Sequence, residues 1–100
     1  MIIAEITVVP IGTKTASVSK YVAKAVAELE KLGLKPELTA MGTVFEADNI
    51  TTILKAFEAV HESVFEQSAV RVVTTLRIDE RRDKEGSIKQ KIQSVYPRLE

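Results

Sequence analysis

The hydrophobic spacing of this chain changes period at each turn signal, and that alternation most constrains what it can fold into. Residues 2–9, Ile-Ile-Ala-Glu-Ile-Thr-Val-Val, alternate with period two, as a strand with one buried face does. Ala4, Ile6 and Val8 fall on one side, with Ile3, Glu5, Thr7 and Val9 on the other. Pro10 and Gly12 end the strand. From Ser17 the spacing becomes helical: Val18, Val22, Ala25, Leu29 and Leu32 form a stripe flanked by Tyr21 and Val26. A helix is predicted over 17–32, with Thr15 or Ser17 as N-cap and Gly33 and Pro36 closing it.

Lys35 to Met41 and Thr43 to Ala47 read as two strands joined at Gly42, close enough for a hairpin, with Leu38 and Ala40 inward. Asp48 or Asn49 caps a second helix whose apolar stripe is Ile50, Ile53, Leu54, Phe57, Val60, Val64 and Phe65. Val70 to Ile78 is a fourth strand, polar on one face. The charged loop 81–86 follows, then a short helix capped by Ser87, carrying Ile88, Ile92 and Val95 and stopped by Pro97. The order β-α-β-β-α-β is the split β-α-β plan: a four-stranded antiparallel sheet with two helices on one face, strands one and three central, strands two and four at the edges.

That plan leaves the second sheet face uncovered by the main helices. Pointing there are Ile3, Glu5, Thr7, Val9, Thr39, Met41, Val44, Glu46, Arg71, Val73, Thr75 and Arg77. Apolar side chains mixed with carboxylates and arginines suit an interface or a ligand pocket better than open water. Strand four is also a long edge, which tends to pair with another chain unless blocked. A homo-oligomer built by edge pairing, by face-to-face sheets, or by both is therefore expected.

A hundred residues make one domain spanning 1–100, small enough that assembly would add useful burial. Hydrophobic residues at 45% and charged residues at 28% are the mixture of a soluble globular protein. The N-terminus carries no signal-peptide pattern, so a cytoplasmic location is expected. The chain has no cysteine, which excludes disulfides, thiol catalysis and thiolate metal sites. Fourteen basic against fourteen acidic residues give a net charge of zero and no general attraction to nucleic acid or membrane. Asn49 as the only asparagine, with plentiful Glu and Lys, points to a thermophilic source.

Glu5 and Glu46 fall on one face of adjacent central strands. Two readings stay open: ion pairing with Arg71 or Arg77 across a subunit boundary, or a pocket whose carboxylate meets a cation or an amino group. His61, alone and without partner spacing, reads as a packed or interface histidine. Ser17 and Thr43 are cap and turn residues, or hydroxyl donors to a pocket near the sheet's end. No nucleophile–base pair stands out, so a binding module is favoured over an enzyme. RNA binding on the sheet is disfavoured by the absence of exposed aromatics on strand one.

Pro10-x-Gly12, Ser17-x-x-x-Tyr21-Val22, Met41-Gly42-Thr43-x-x-Glu46, His61, Arg71-Val72, Ile78-Asp79-x-Arg81 and Lys91-x-x-Ser94-Val95 together resemble the small thiamine-binding proteins of the YkoF-like superfamily, over nearly the whole chain. The resemblance implies an α+β, ferredoxin-like fold, a homotetramer, and non-catalytic binding of thiamine or its hydroxymethylpyrimidine half without a cofactor or metal. It places Thr43 and Glu46, matching the family's Thr-x-x-Glu motif, in or beside the pocket, with Met41, Ser17, Glu5 and His61 as further ligand-site candidates. In that reading the Glu46 carboxylate is the polar anchor. A structural or regulatory oligomer is the alternative.

Overall fold

The computed structural model describes residues 1–99. Its elements are β1 (Ile2–Pro10), α1 (Ser19–Lys31), β2 (Glu37–Leu38), β3 (Thr43–Ala47), α2 (Ile50–Phe65), β4 (Val72–Asp79) and α3 (Ile88–Val95), with a 3-10 turn at Tyr96–Arg98. The sheet is antiparallel in the order β2-β3-β1-β4, so the predicted α+β ferredoxin-like fold is the one observed. Strand alternation set the inward face as expected: Ile2, Ala4, Ile6 and Val8 of β1 and Phe45 and Ala47 of β3 are buried. They meet Tyr21, Ala25 and Leu29 of α1 and Ile53, Ala56, Val60 and Val64 of α2. Burial of this apolar surface is the main stabilising term.

Local caps explain most element ends. The Asn49 side chain accepts from the Thr52 N–H at 2.9 Å, and Ser87 accepts from the Gln90 N–H at 3.0 Å, both helix N-caps read from sequence. Gly33, at φ +79°, adopts the left-handed turn that ends α1. The start of α1 differs from expectation. Its N-cap is Val18, with no side-chain cap bond, because the Thr15 hydroxyl is turned back to accept the Ser17 N–H within the loop.

The α2 stripe is rotated relative to the sequence reading. Ala56 and Ser63 are buried, while Ile50, Leu54 and Phe65 stand on the exposed flank. Ser63 tolerates burial because its hydroxyl donates to the Val60 carbonyl at 2.6 Å. The charged loop is internally organised: the Arg81 guanidinium makes two bonds to Asp83, at 2.7 and 2.6 Å, and holds that carboxyl down at about 2.

The second strand is the largest correction. Expected over 35–41, it is two residues long. The Thr39 hydroxyl donates to the Gly42 carbonyl at 2.7 Å and accepts the Met41 and Gly42 N–H groups, closing the chain into a turn before a longer strand can form. Leu38 pairs with inward-facing Thr43, so its parity was read correctly, yet it is 66% exposed because no helix roofs this edge. Ala40 is exposed in the turn.

Gly42 lacks the left-handed backbone conformation that often demands glycine. Its requirement is proximity: a Cβ there would lie 2.9 Å from the Thr7 methyl and 3.1 Å from Glu5 Cγ. Gly42→Ala should push the turn off β1 and lower stability by about 1–3 kcal/mol in denaturant unfolding, with the far end of the sheet unaffected.

Candidate functional site

A cavity opens where β1 outruns β3. Pairing of β1 with β3 ends at Ile6 opposite Thr43, whereas pairing with β4 continues to Pro10 opposite Val72. Alternation along the ladder sends the backbone groups of even-numbered β1 residues toward β3. Beyond Ile6 no β3 residue is there to meet them. The Val8 N–H and carbonyl therefore border a gap, and no hydrogen bond joins them to the 39–42 turn.

The gap encloses about 270 Å³. Its walls are Ile6 to Val9 of β1, the Val18, Val22, Ala25 and Leu29 side of α1, the Thr39–Thr43 turn, and Val60 beneath. Val18 and Val22 are only half-buried because the cavity lies beneath them. No charged side chain lines it. The Thr43 side chain is 4% exposed, and its hydroxyl makes no hydrogen bond among the described residues. The Thr39 hydroxyl is already occupied by its turn. What the space offers is an apolar slot with one free hydroxyl and one adjacent backbone donor–acceptor pair. That suits a flat, uncharged, heteroatom-bearing ring better than an ion.

Of the residues singled out from sequence, Thr43 and Met41 line this cavity. Ser17 lies on the exposed loop beside Val18, its hydroxyl 3.2 Å from that of Ser19. Glu5 lies on the opposite sheet face against Gly42 and pairs with Arg77 at 3.6 Å. His61 is on the far flank of α2, its Nδ1 2.8 Å from the Thr74 hydroxyl and its ring between Phe57 and Phe65. None of these three is a cavity wall.

Glu46 is not brought together with Thr43. The two sit on opposite faces of β3, because three residues separate them along a period-two strand. Its carboxylate accepts the Ile88 N–H at 3.3 Å, fastening the start of α3 over the otherwise open sheet face. Ile88 is buried at that junction, and Lys91 pairs with Asp79 beside it. Glu46 also borders a second, polar hollow with Lys35, Glu37 and Asp48 at the other end of the sheet. The cavity residues not singled out from sequence include Thr7, Val8, Thr39 and Val22. The available signal was the mismatch between a nine-residue β1 and a five-residue β3.

No described helix is long and apolar enough to cross a membrane. Among the described residues, no group of His, Cys, Asp and Glu side chains is placed to hold a metal ion.

Comparison with known proteins agrees with the fold. A UPF0045 protein of Methanothermobacter thermautotrophicus is 43% identical over 99 residues, covering 99% of this chain and all of its own. The Bacillus subtilis UPF0045 protein YqgV is 40% identical, over the whole of this chain and 99% of its own. The crystal structure of a hypothetical protein from Methanocaldococcus jannaschii superposes with a TM-score of 0.86 at 46% identity, over 95% of each chain. A Thermotoga maritima protein proposed for thiamine biosynthesis or salvage shares the fold at a TM-score of 0.76 and 22% identity, over 93% of this chain and 96% of its own. The sequence profile described as "Thiamine-binding protein" matches residues 4–96, and the chain belongs to that family.

Proposed function

We propose that this protein binds thiamine or its hydroxymethylpyrimidine moiety without catalysis, as a cytoplasmic homo-oligomer with the tetramer as its assembly, in the cavity beside the end of β1. The observation that carries the reading is the free edge of Val8 within an uncharged, apolar slot. An aminopyrimidine presents an amino donor next to a ring-nitrogen acceptor. The Val8 carbonyl and N–H are the matching pair, and Thr43 supplies a hydroxyl to a ring substituent. Met41 and Val22 cover the ring faces. A buried thiazolium would find no counter-charge among these walls, so that half of thiamine projects outward. The volume of about 270 Å³, just below the ~300–1,000 Å³ range of ligand sites, is sized for one substituted ring.

Glu46 in this reading is a structural anchor for α3 and not the ligand's polar partner. The second reading, a structural or regulatory oligomer, draws on the exposed Val9 and Val73 of the open sheet face, which point to burial against another chain.

Calorimetry and thermal unfolding with each compound test the site. Hydroxymethylpyrimidine and thiamine should both stabilise the protein. Thr43→Val should weaken binding by about fivefold, the worth of one neutral hydrogen bond. No binding of either compound at millimolar concentration would reject the reading. Glu46→Ala should lower stability by about 1 kcal/mol and increase hydrogen exchange at Ile88 while leaving ligand affinity within twofold. A large affinity loss there would return the carboxylate to the binding site.

A further inference from the structure

The outer edge of β4 is the one long stretch of sheet backbone left open on the side away from β1. The Ile11 N–H donates to the Arg71 carbonyl at 2.9 Å, which fixes the phase of the ladder. Arg71, Val73, Thr75 and Arg77 turn their backbone groups toward β1, and Val72, Thr74, Leu76 and Ile78 turn theirs outward. No proline or glycine interrupts Val72–Asp79, the usual device for blunting an edge.

The flank above this edge is apolar. Leu54, Phe57, His61 and Phe65 recur at helical spacing on one side of α2. The His61–Thr74 contact holds that side against β4. Leu54 is 51% exposed and Phe65 39% exposed, while Val72 and Leu76 beneath are half-buried.

We propose that this edge docks a second copy of the same chain, β4 against β4, antiparallel about a two-fold axis at Thr75. The register follows from the sequence of the strand. The outward backbone groups belong to even-numbered residues, so even must face even for the hydrogen bonds to form. About Thr75, Val72 faces Ile78 and Thr74 faces Leu76 of the second copy, each pair exchanging a donor and an acceptor, with the apolar Val72 and Ile78 side chains together on the helix side. On the other face Arg71 meets Asp79 of the second copy, and Thr75 meets itself.

Registers centred on Thr74, Leu76 or Arg77 fail on charge, and one centred on Val73 sets Arg71 against Thr75 and forfeits the Arg71–Asp79 pair. Centring on Thr74 sets Arg71 against Arg77, centring on Arg77 sets Arg77 against itself, and centring on Leu76 carries Arg71 past the strand to Arg81. Opposed like charges destabilise a strand pair and opposite charges favour it. Arg71 has no ion-pair partner among the described residues. Asp79 gives Oδ2 to Lys91 and keeps Oδ1 for the incoming guanidinium. The interface stands apart from the cavity beside β1, so the ligand reading does not depend on it.

Disulfide trapping in the full chain, which has no native cysteine to interfere, tests the register. Thr75→Cys should oxidise to a covalent dimer, since directly opposed positions without mutual hydrogen bonds bring Cα atoms within disulfide range. Arg71→Cys and Asp79→Cys should each stay uncrosslinked alone and crosslink when mixed, a pattern that face-to-face sheet packing would not give. Arg71→Glu should raise the dimer dissociation constant by about tenfold in sedimentation equilibrium. A monomer at micromolar concentration would overturn the proposal. So would an oligomer in which the mixed 71 and 79 cysteines fail to join, or one indifferent to Arg71→Glu.

Discussion

β1 is paired along its whole length on one side and along little more than half on the other, and much of the molecule follows from that inequality. Its full-length ladder with β4 fixes the sheet's twist and places both edges. Its truncated ladder with β3 leaves a few residues of strand backbone facing space instead of a partner. Buried peptide groups without partners are costly. The gap is left open at its mouth and is not filled by side chains. α1 roofs the opening with small and branched residues, and the Thr39 turn closes its rim without adding a charge.

The two ends of the sheet have diverged in chemistry. At one end, threonine hydroxyls and valine side chains surround a slot with no ionisable group. At the other, Glu46, Asp79 and Glu85 receive the Ile88 N–H, Lys91 and the Met1 ammonium, so that carboxylates hold the C-terminal helix in place. The charges that draw the eye in the sequence mostly serve attachment, and the polar groups suited to a ligand are neutral.

Strand and helix parity were legible because burial repeats: Ala4, Ile6, Phe45 and Leu29 occupy the positions their spacing assigned. The caps at Asn49 and Ser87 were equally plain, since a side-chain oxygen before a helical run has few other uses. The second strand was not legible. A single threonine side chain, Thr39, competes with the β2–β3 ladder for the same backbone groups, and propensity does not rank those alternatives. The candidate site was legible only in part. Thr43 and Met41 line it, whereas the three-residue spacing of Thr-x-x-Glu on a period-two strand already sets Glu46 on the opposite face, so the motif as a whole does not mark one pocket. Nor does it reveal that the chief polar feature of the cavity is main-chain Val8, whose side chain advertises nothing.

Pro10 takes on a further meaning in this setting. Its ring nitrogen occupies the even-numbered position next after Val8 on the side of β1 that β3 leaves bare, where any other residue would aim an N–H into the gap. With that donor absent, the bare stretch of β1 offers one complete residue of pairing and then stops. An extended peptide needs a run of alternating donors and acceptors to add itself to a sheet. The bare stretch of β1 is thus too short to take up a wandering strand. A single imino acid blunts the one part of the central strand that β3 leaves uncovered.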